Sequence, residues 1–342
     1  MAESSPTLSE WRRLYQAAIR VKEIAPWEWM TETDIFGVQD PETDEIGFVS
    51  VMGMLGEHLS LAVYLGAEGL YSFWEFQEVA DSAPSEAILE MPHLQASFED
   101  RGELSTRDRD LIKELGLKFR GRQAWAMFRS YRPGYLPWYL EAPEARTLTY
   151  ALEQAVEVVL RFKDDPTLLE PSDEESYLVR VPREVKGSLV WEDEVVRVPP
   201  VEPEPIPIVM DMEALEKVKR LPRGDHTLEI DLFLFPIRIE EKGTRPYLPR
   251  VLLTVESQSG MILGNELLEP EPGLAVMWGT VPLKVVHQFA RMGILPREIR
   301  VRSFRLLALL QLLEEELDFE VKATPRLPSL DRAKEALLYR FV

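Results

Sequence analysis

The chain has 342 residues, 45% hydrophobic and 29% charged, with a net charge of −20. That balance excludes a disordered chain and gives enough length for about two cores. With no cysteine there are no disulfides, thiolate metal sites or cysteine nucleophiles, and no apolar run nears the roughly 18 residues of a membrane span. The charge is uneven: residues 1–163 carry 27 acidic against 16 basic side chains, 164–205 carry 12 against 4, and 206–342 carry 20 against 19. The first two stretches repel a polyanion, so nucleic acid is an unexpected partner. The polar start, MetAlaGluSerSerProThrLeuSerGluTrp, lacks the basic-then-apolar pattern of a signal peptide. A cytoplasmic location without a membrane partner is the expectation.

Thr7 and Glu10 have capping-box spacing, and Trp11, Leu14, Tyr15, Ala18 and Val21 then form one apolar helical stripe that Pro26 ends. Strands are predicted over 46–51 and 59–65, bounded by glycines, and an amphipathic stretch over 70–79. Residues 94–99 and 124–131 read as further strands. Between them Ser105 and Asp108 cap a helix that Gly116 closes. Pro143 starts a long helix with Leu148, Leu152, Ala155, Val156 and Val159 on one face. These elements predict an α+β domain over 1–163. Residues 164–210 hold two short strand candidates, 177–181 and 194–198, and end in a Pro-rich run at 199–207 that must be extended. They are expected to be an acidic connecting segment.

The remaining stretch, 211–342, has a clearer rhythm. Leu228, Ile230, Leu232 and Leu234 alternate along 227–235, followed by strands at 251–256 and 261–268 with a turn at 258–260. A helix from Pro282 to Met292 ends at Gly293, and 298–302 is a strand. Residues 304–317 form an apolar helix, 319–323 a strand, and Ser329 is expected to cap a last helix. The order is βββαβαβα, an α/β domain with a mixed five-stranded sheet.

That order resembles the ribonuclease H-like core of retroviral integrases and transposases. LeuGluIleAspLeu at 228–232 is similar to its first strand, LeuLeuThrValGluSerGlnSerGlyMetIleLeuGly at 252–264 to its second and third, and GlyIleLeuProArgGluIleArgVal at 293–301 to the entry into its fourth. The resemblance implies a first metal-binding carboxylate at Asp231 and a last one at Glu335 or Asp331. The second should follow the fourth strand, where Arg302 and Ser303 stand instead. Two divalent cations need clustered carboxylates, so the scaffold is expected to be catalytically degenerate, with Asp231 on a partly exposed strand face beside Glu229. The whole chain also resembles two-domain bacterial proteins without an assigned function, through PheArgGlyArg at 119–122 and ProGlyTyrLeuProTrpTyrLeu at 133–140.

Other constellations are sparse. His58, His93, His226 and His287 are too dispersed for a zinc site, and no phosphate-binding glycine loop or GxSxG motif occurs. Neither a metal nor a cofactor is expected. Aromatic rings at 27, 29, 125, 131, 135, 138 and 139 lie near arginines 120, 122, 129 and 132 in sequence. Within that group Arg120, Arg122, Tyr135 and Trp138 are binding candidates, because guanidinium beside rings suits planar or anionic ligands. Arg300, Arg302 and Arg305, with Arg297, form a second candidate, expected to pair internally with Glu314, Glu315 and Glu316. The expected function is that of a non-catalytic binding or regulatory protein, its partner a protein or a small anionic ligand. The alternative is a metal-dependent enzyme acting on nucleic acid through Asp231, Glu229 and Glu335.

Overall fold

Thr7 and Glu10 close a reciprocal cap on the first helix: the Glu10 carboxylate accepts from the Thr7 amide at 2.7 Å, and the Thr7 hydroxyl accepts from the Glu10 amide at 3.3 Å. Two groups that a helix start leaves unpaired are thereby satisfied. Helix α1 (Leu8–Ile24) buries Trp11, Leu14, Tyr15, Ala18 and Val21 and stops where Ala25 turns left-handed before Pro26. The computed structural model describes residues 5–79, 85–170, 173, 175–202, 205–241 and 244–339. It divides into two compact units, Met1–Pro133 with Pro137–Glu202, and Gly134–Leu136 with Pro203–Val342. Among the described residues no helix is long and apolar enough to cross a membrane.

In the first unit α1 is followed by β1 (Phe36–Gln39), β2 (Ile46–Met52), β3 (Ser60–Leu65) and α2 (Gly66–Val79). Next come β4 (His93–Glu99), α3 (Thr106–Glu114), β5 (Trp125–Tyr131), α4 (Ala142–Asp164), β6 (Ser176–Val185) and β7 (Ser188–Arg197). The sheet order is β5-β4-β3-β2-β1-β6-β7, antiparallel throughout except where β6 runs parallel to β1. The strand alternation divides the core. Val49 and Val51 of β2 pack with α1 and α4 on one face, while Phe48 packs with Leu70 and Phe73 of α2 on the other.

The stretch expected to be a connecting segment over 164–210 instead supplies two strands to this sheet. Tyr177, Val179 and Val181 are buried in its second core cluster, so their apolar face is spent on the first unit. The part without regular structure begins after Arg197. The four-residue β1 leaves no signature in the sequence, because so short a run carries little periodicity.

The second unit contains α5 (Met212–Val218), β8 (Thr227–Leu234), β9 (Arg250–Glu256), β10 (Ile262–Leu268), α6 (Leu274–Gly279) and α7 (Val281–Met292). It ends with β11 (Glu298–Val301), α8 (Phe304–Leu317), β12 (Glu320–Ala323) and α9 (Pro328–Leu338). Its mixed sheet has the order β10-β9-β8-β11-β12. β8, β9 and β10 are antiparallel neighbours, and β11 runs parallel to both β8 and β12. Leu228, Ile230 and Leu232 pack with α7 and α8, whereas Phe233, Leu253 and Val255 pack with Leu330 and Ala333 of α9. Helix α8 buries Leu306, Leu309, Leu310, Leu313 and Leu317, and burying each leucine is worth about 1.5–3 kcal/mol. Ser329 does not cap α9 as expected. Leu327 holds the cap position without a side-chain bond.

Candidate functional site

Glu229 and Asp231 alternate with the leucines of β8 and lie on the opposite sheet face. Both are buried, at 0% and 7% exposure. The expectation of a partly exposed face is therefore wrong: α9 covers this side of the sheet, as the packing of Leu330 and Ala333 against Phe233 shows. Strand alternation marks two faces, but it cannot tell how many are covered.

Each carboxylate has its own partners. Glu229 Oε2 accepts from the amides of Ser329 at 2.9 Å and Leu330 at 2.8 Å, and Oε1 accepts from the Ser257 hydroxyl at 3.2 Å. A negative group at the start of α9 satisfies orphaned amides and favours the helix dipole. Glu229 thus does from another element what Leu327 cannot. A helix that starts LeuProSer with no capping side chain was the only sequence signal for this role.

Asp231 meets a cation. Parallel pairing places Ile230 opposite Val301, so the residue after β11 arrives beside Asp231. Arg302 Nη1 lies 3.5 Å from Asp231 Oδ2, and its Nη2 lies 2.6 Å from Asp331 Oδ1 in α9. Asp231 Oδ1 also accepts from the Leu232 amide at 3.0 Å. Burial nevertheless raises the Asp231 pKa above the ordinary carboxylate value, outweighing the Arg302 charge and that amide. Arg300, on the same strand, pairs with Glu298 at 2.6 Å, and Ser303 accepts from the Leu306 amide at 3.4 Å to cap α8. Glu335 is exposed on α9, and among the described residues it makes no hydrogen bond or ion pair with Asp231. Asp331 is the helix carboxylate that joins the cluster. Among the described residues no group of three or more His, Cys, Asp or Glu side chains is placed to hold a metal ion.

The remaining arginines of this region pair internally, but not with the glutamate run as expected. Arg297 reaches Asp225 at 2.8 Å, and Arg305 lies 5.1 Å over the Trp278 ring. Glu316 pairs with Lys219 at 2.6 Å and Glu314 accepts from the Val321 amide at 3.3 Å. Glu314 reaches Val321 because α8 turns directly into β12, whereas the partner of Glu316, Lys219, comes from the end of α5.

Of the arginine–aromatic group read from the sequence one pair meets, Arg129 lying 4.9 Å over the Tyr139 ring, while among the described residues no contact joins Arg120, Arg122, Tyr135 and Trp138 to one another. Arg120 and Arg122 are exposed, and among the described residues neither makes an ion pair. Arg129 donates to both oxygens of Asp108 at 3.0 and 2.7 Å, and Arg132 pairs with Glu141 and Glu144. Trp138 is half-buried, its backbone bridged to Ser130 and its ring 5.0 Å from Tyr139. Tyr135 belongs to the second unit, where its hydroxyl donates to Glu271 at 2.8 Å and its ring lies 6.4 Å from Tyr247. Burial and the Glu271 carboxylate push its phenol up to about 12.

Residues 11–180 match the family model described as Domain of unknown function (DUF7309). Residues 214–338 match a second, described as Domain of unknown function (DUF6930). No curated protein matches the chain.

Proposed function

We propose that the chain is a non-catalytic binding or regulatory protein of the cytoplasm whose second unit is a degenerate ribonuclease H-like scaffold. The order β10-β9-β8-β11-β12, antiparallel on one side of β8 and parallel on the other, supports the scaffold part of this reading. The observation that carries the rest is the Arg302 guanidinium bridging Asp231 and Asp331. A two-metal centre needs carboxylate oxygens free to face hard cations. Here a fixed cation stands between two of them, and Glu229 already accepts from two amides and a hydroxyl. The net charge of −20 favours a protein or small ligand over a polyanionic partner.

Calorimetric titration with magnesium and manganese tests this reading, followed by a nuclease assay with the same ions. No saturable heat and no cleavage are expected. Saturable manganese binding that Asp231→Asn abolishes would overturn it and make the chain a metal-dependent enzyme acting on nucleic acid.

A further inference from the structure

A recess of about 490 Å³ opens in the first unit beneath α3, with Trp11, Tyr15, Phe128 and Tyr139 among its walls. That volume falls in the range of small-molecule sites, roughly 300–1,000 Å³. Tyr15 is 1% exposed, yet among the described residues its hydroxyl makes no hydrogen bond. Burial raises its pKa above the usual value, so it stays a neutral donor.

Helix α3 adds charges of both signs to the same recess. Arg107 lies 4.0 Å over the Tyr139 ring, which holds its planar fork in place, and among the described residues it has no carboxylate partner. Asp110 and Glu114, further along the helix, also line the recess, and among the described residues their carboxylates are unpaired. Asp108 does not compete for a ligand cation, because Arg129 already binds both its oxygens.

We propose that this recess binds a small zwitterion with a flat apolar body, the class of an aromatic α-amino acid. Its carboxylate faces Arg107, a group suited to bidentate recognition. Its ammonium faces Asp110 and Glu114, its ring lies against Trp11 and Phe128, and Tyr15 donates to a polar atom. A pure anion would meet two unpaired carboxylates, and a pure cation would leave Arg107 unmatched.

Calorimetry of the full chain with tryptophan, tyrosine and phenylalanine tests the class, alongside tryptamine, which lacks the carboxylate, and indole-3-propionate, which lacks the amine. At least one amino acid should bind saturably. For tryptophan each analogue should be about ten-fold weaker, the loss of one charge-assisted contact. Arg107→Met should abolish the advantage over tryptamine, and the double substitution Asp110→Asn, Glu114→Gln the advantage over indole-3-propionate. These are surface positions on α3, so circular dichroism should show an unchanged fold. No saturable binding by any of the three amino acids overturns the proposal, as does binding that Arg107→Met leaves undiminished.

Discussion

Arg302 lies 3.5 Å from Asp231 because β11 runs parallel to β8 with Val301 opposite Ile230. The Asp231 side chain is 10% exposed and that of Arg302 is 37%, so solvent screens the pair from the arginine side. Arg302→Met should lower stability by about 1–2 kcal/mol, well short of a fully buried pair, by leaving a desolvated carboxylate without a cation. In an Asp231→Asn background the same substitution should cost distinctly less. Urea titrations of the four proteins measure the coupling, and equal losses in both backgrounds would disprove it.

Asp231 also gives stability a defined pH dependence. Its folded pKa is raised, chiefly by burial, so the fold disfavours the charged form. Its contribution is fully present below the ordinary carboxylate pKa and is lost as pH rises through the raised folded value. Asp231→Asn removes that loss. The difference between variant and parent should shift in the variant's favour from roughly pH 3 to pH 7. Thermal melts across that range check the sign.

The Asp108–Arg129 pair predicts the reverse. Burial alone would raise the Asp108 pKa, but Arg129 and Ser105 outweigh it and hold it below the usual value. The stability it contributes is present above the ordinary carboxylate pKa and is lost as pH falls through the depressed one. Asp108→Asn should cost about 2–3 kcal/mol at neutral pH by stranding a guanidinium that is only 14% exposed. Parent and variant should converge in acid.

Glu229→Ala should cost about 2–3 kcal/mol, because it strands the Ser329 and Leu330 amides that the carboxylate receives. Amide hydrogen exchange should accelerate at Ser329 and Leu330 more than in α8. Uniform acceleration across the second unit would show that Glu229 is not a specific cap.

Limited proteolysis should cut first at 199–202, exposed residues without regular structure. Strands β6 and β7 should resist longer, since their ladder ties them to the sheet through β1. First cuts within β8–β12 would contradict this order.

The sequence by itself determined what short-range chemistry controls. The capping box at Thr7 and Glu10, the apolar stripe of α1, the leucines of α8 and the alternation of β8 were legible because each is written within a turn or a few residues. So was the presence of Arg302 where the resembled family places an acid, a matter of residue identity alone. Only the tertiary structure decided where β6 and β7 belong, since Val179 pairs with Gly37 across most of the first unit. It also decided that Asp231 is buried, because a strand's pattern does not record whether a helix covers its second face. The role of Glu229 as the cap of α9 depends on amides a hundred residues away. The side chains around the α3 recess come from elements scattered from Trp11 to Tyr139. Such arrangements are set by long-range packing, which brings together groups that no local spacing relates.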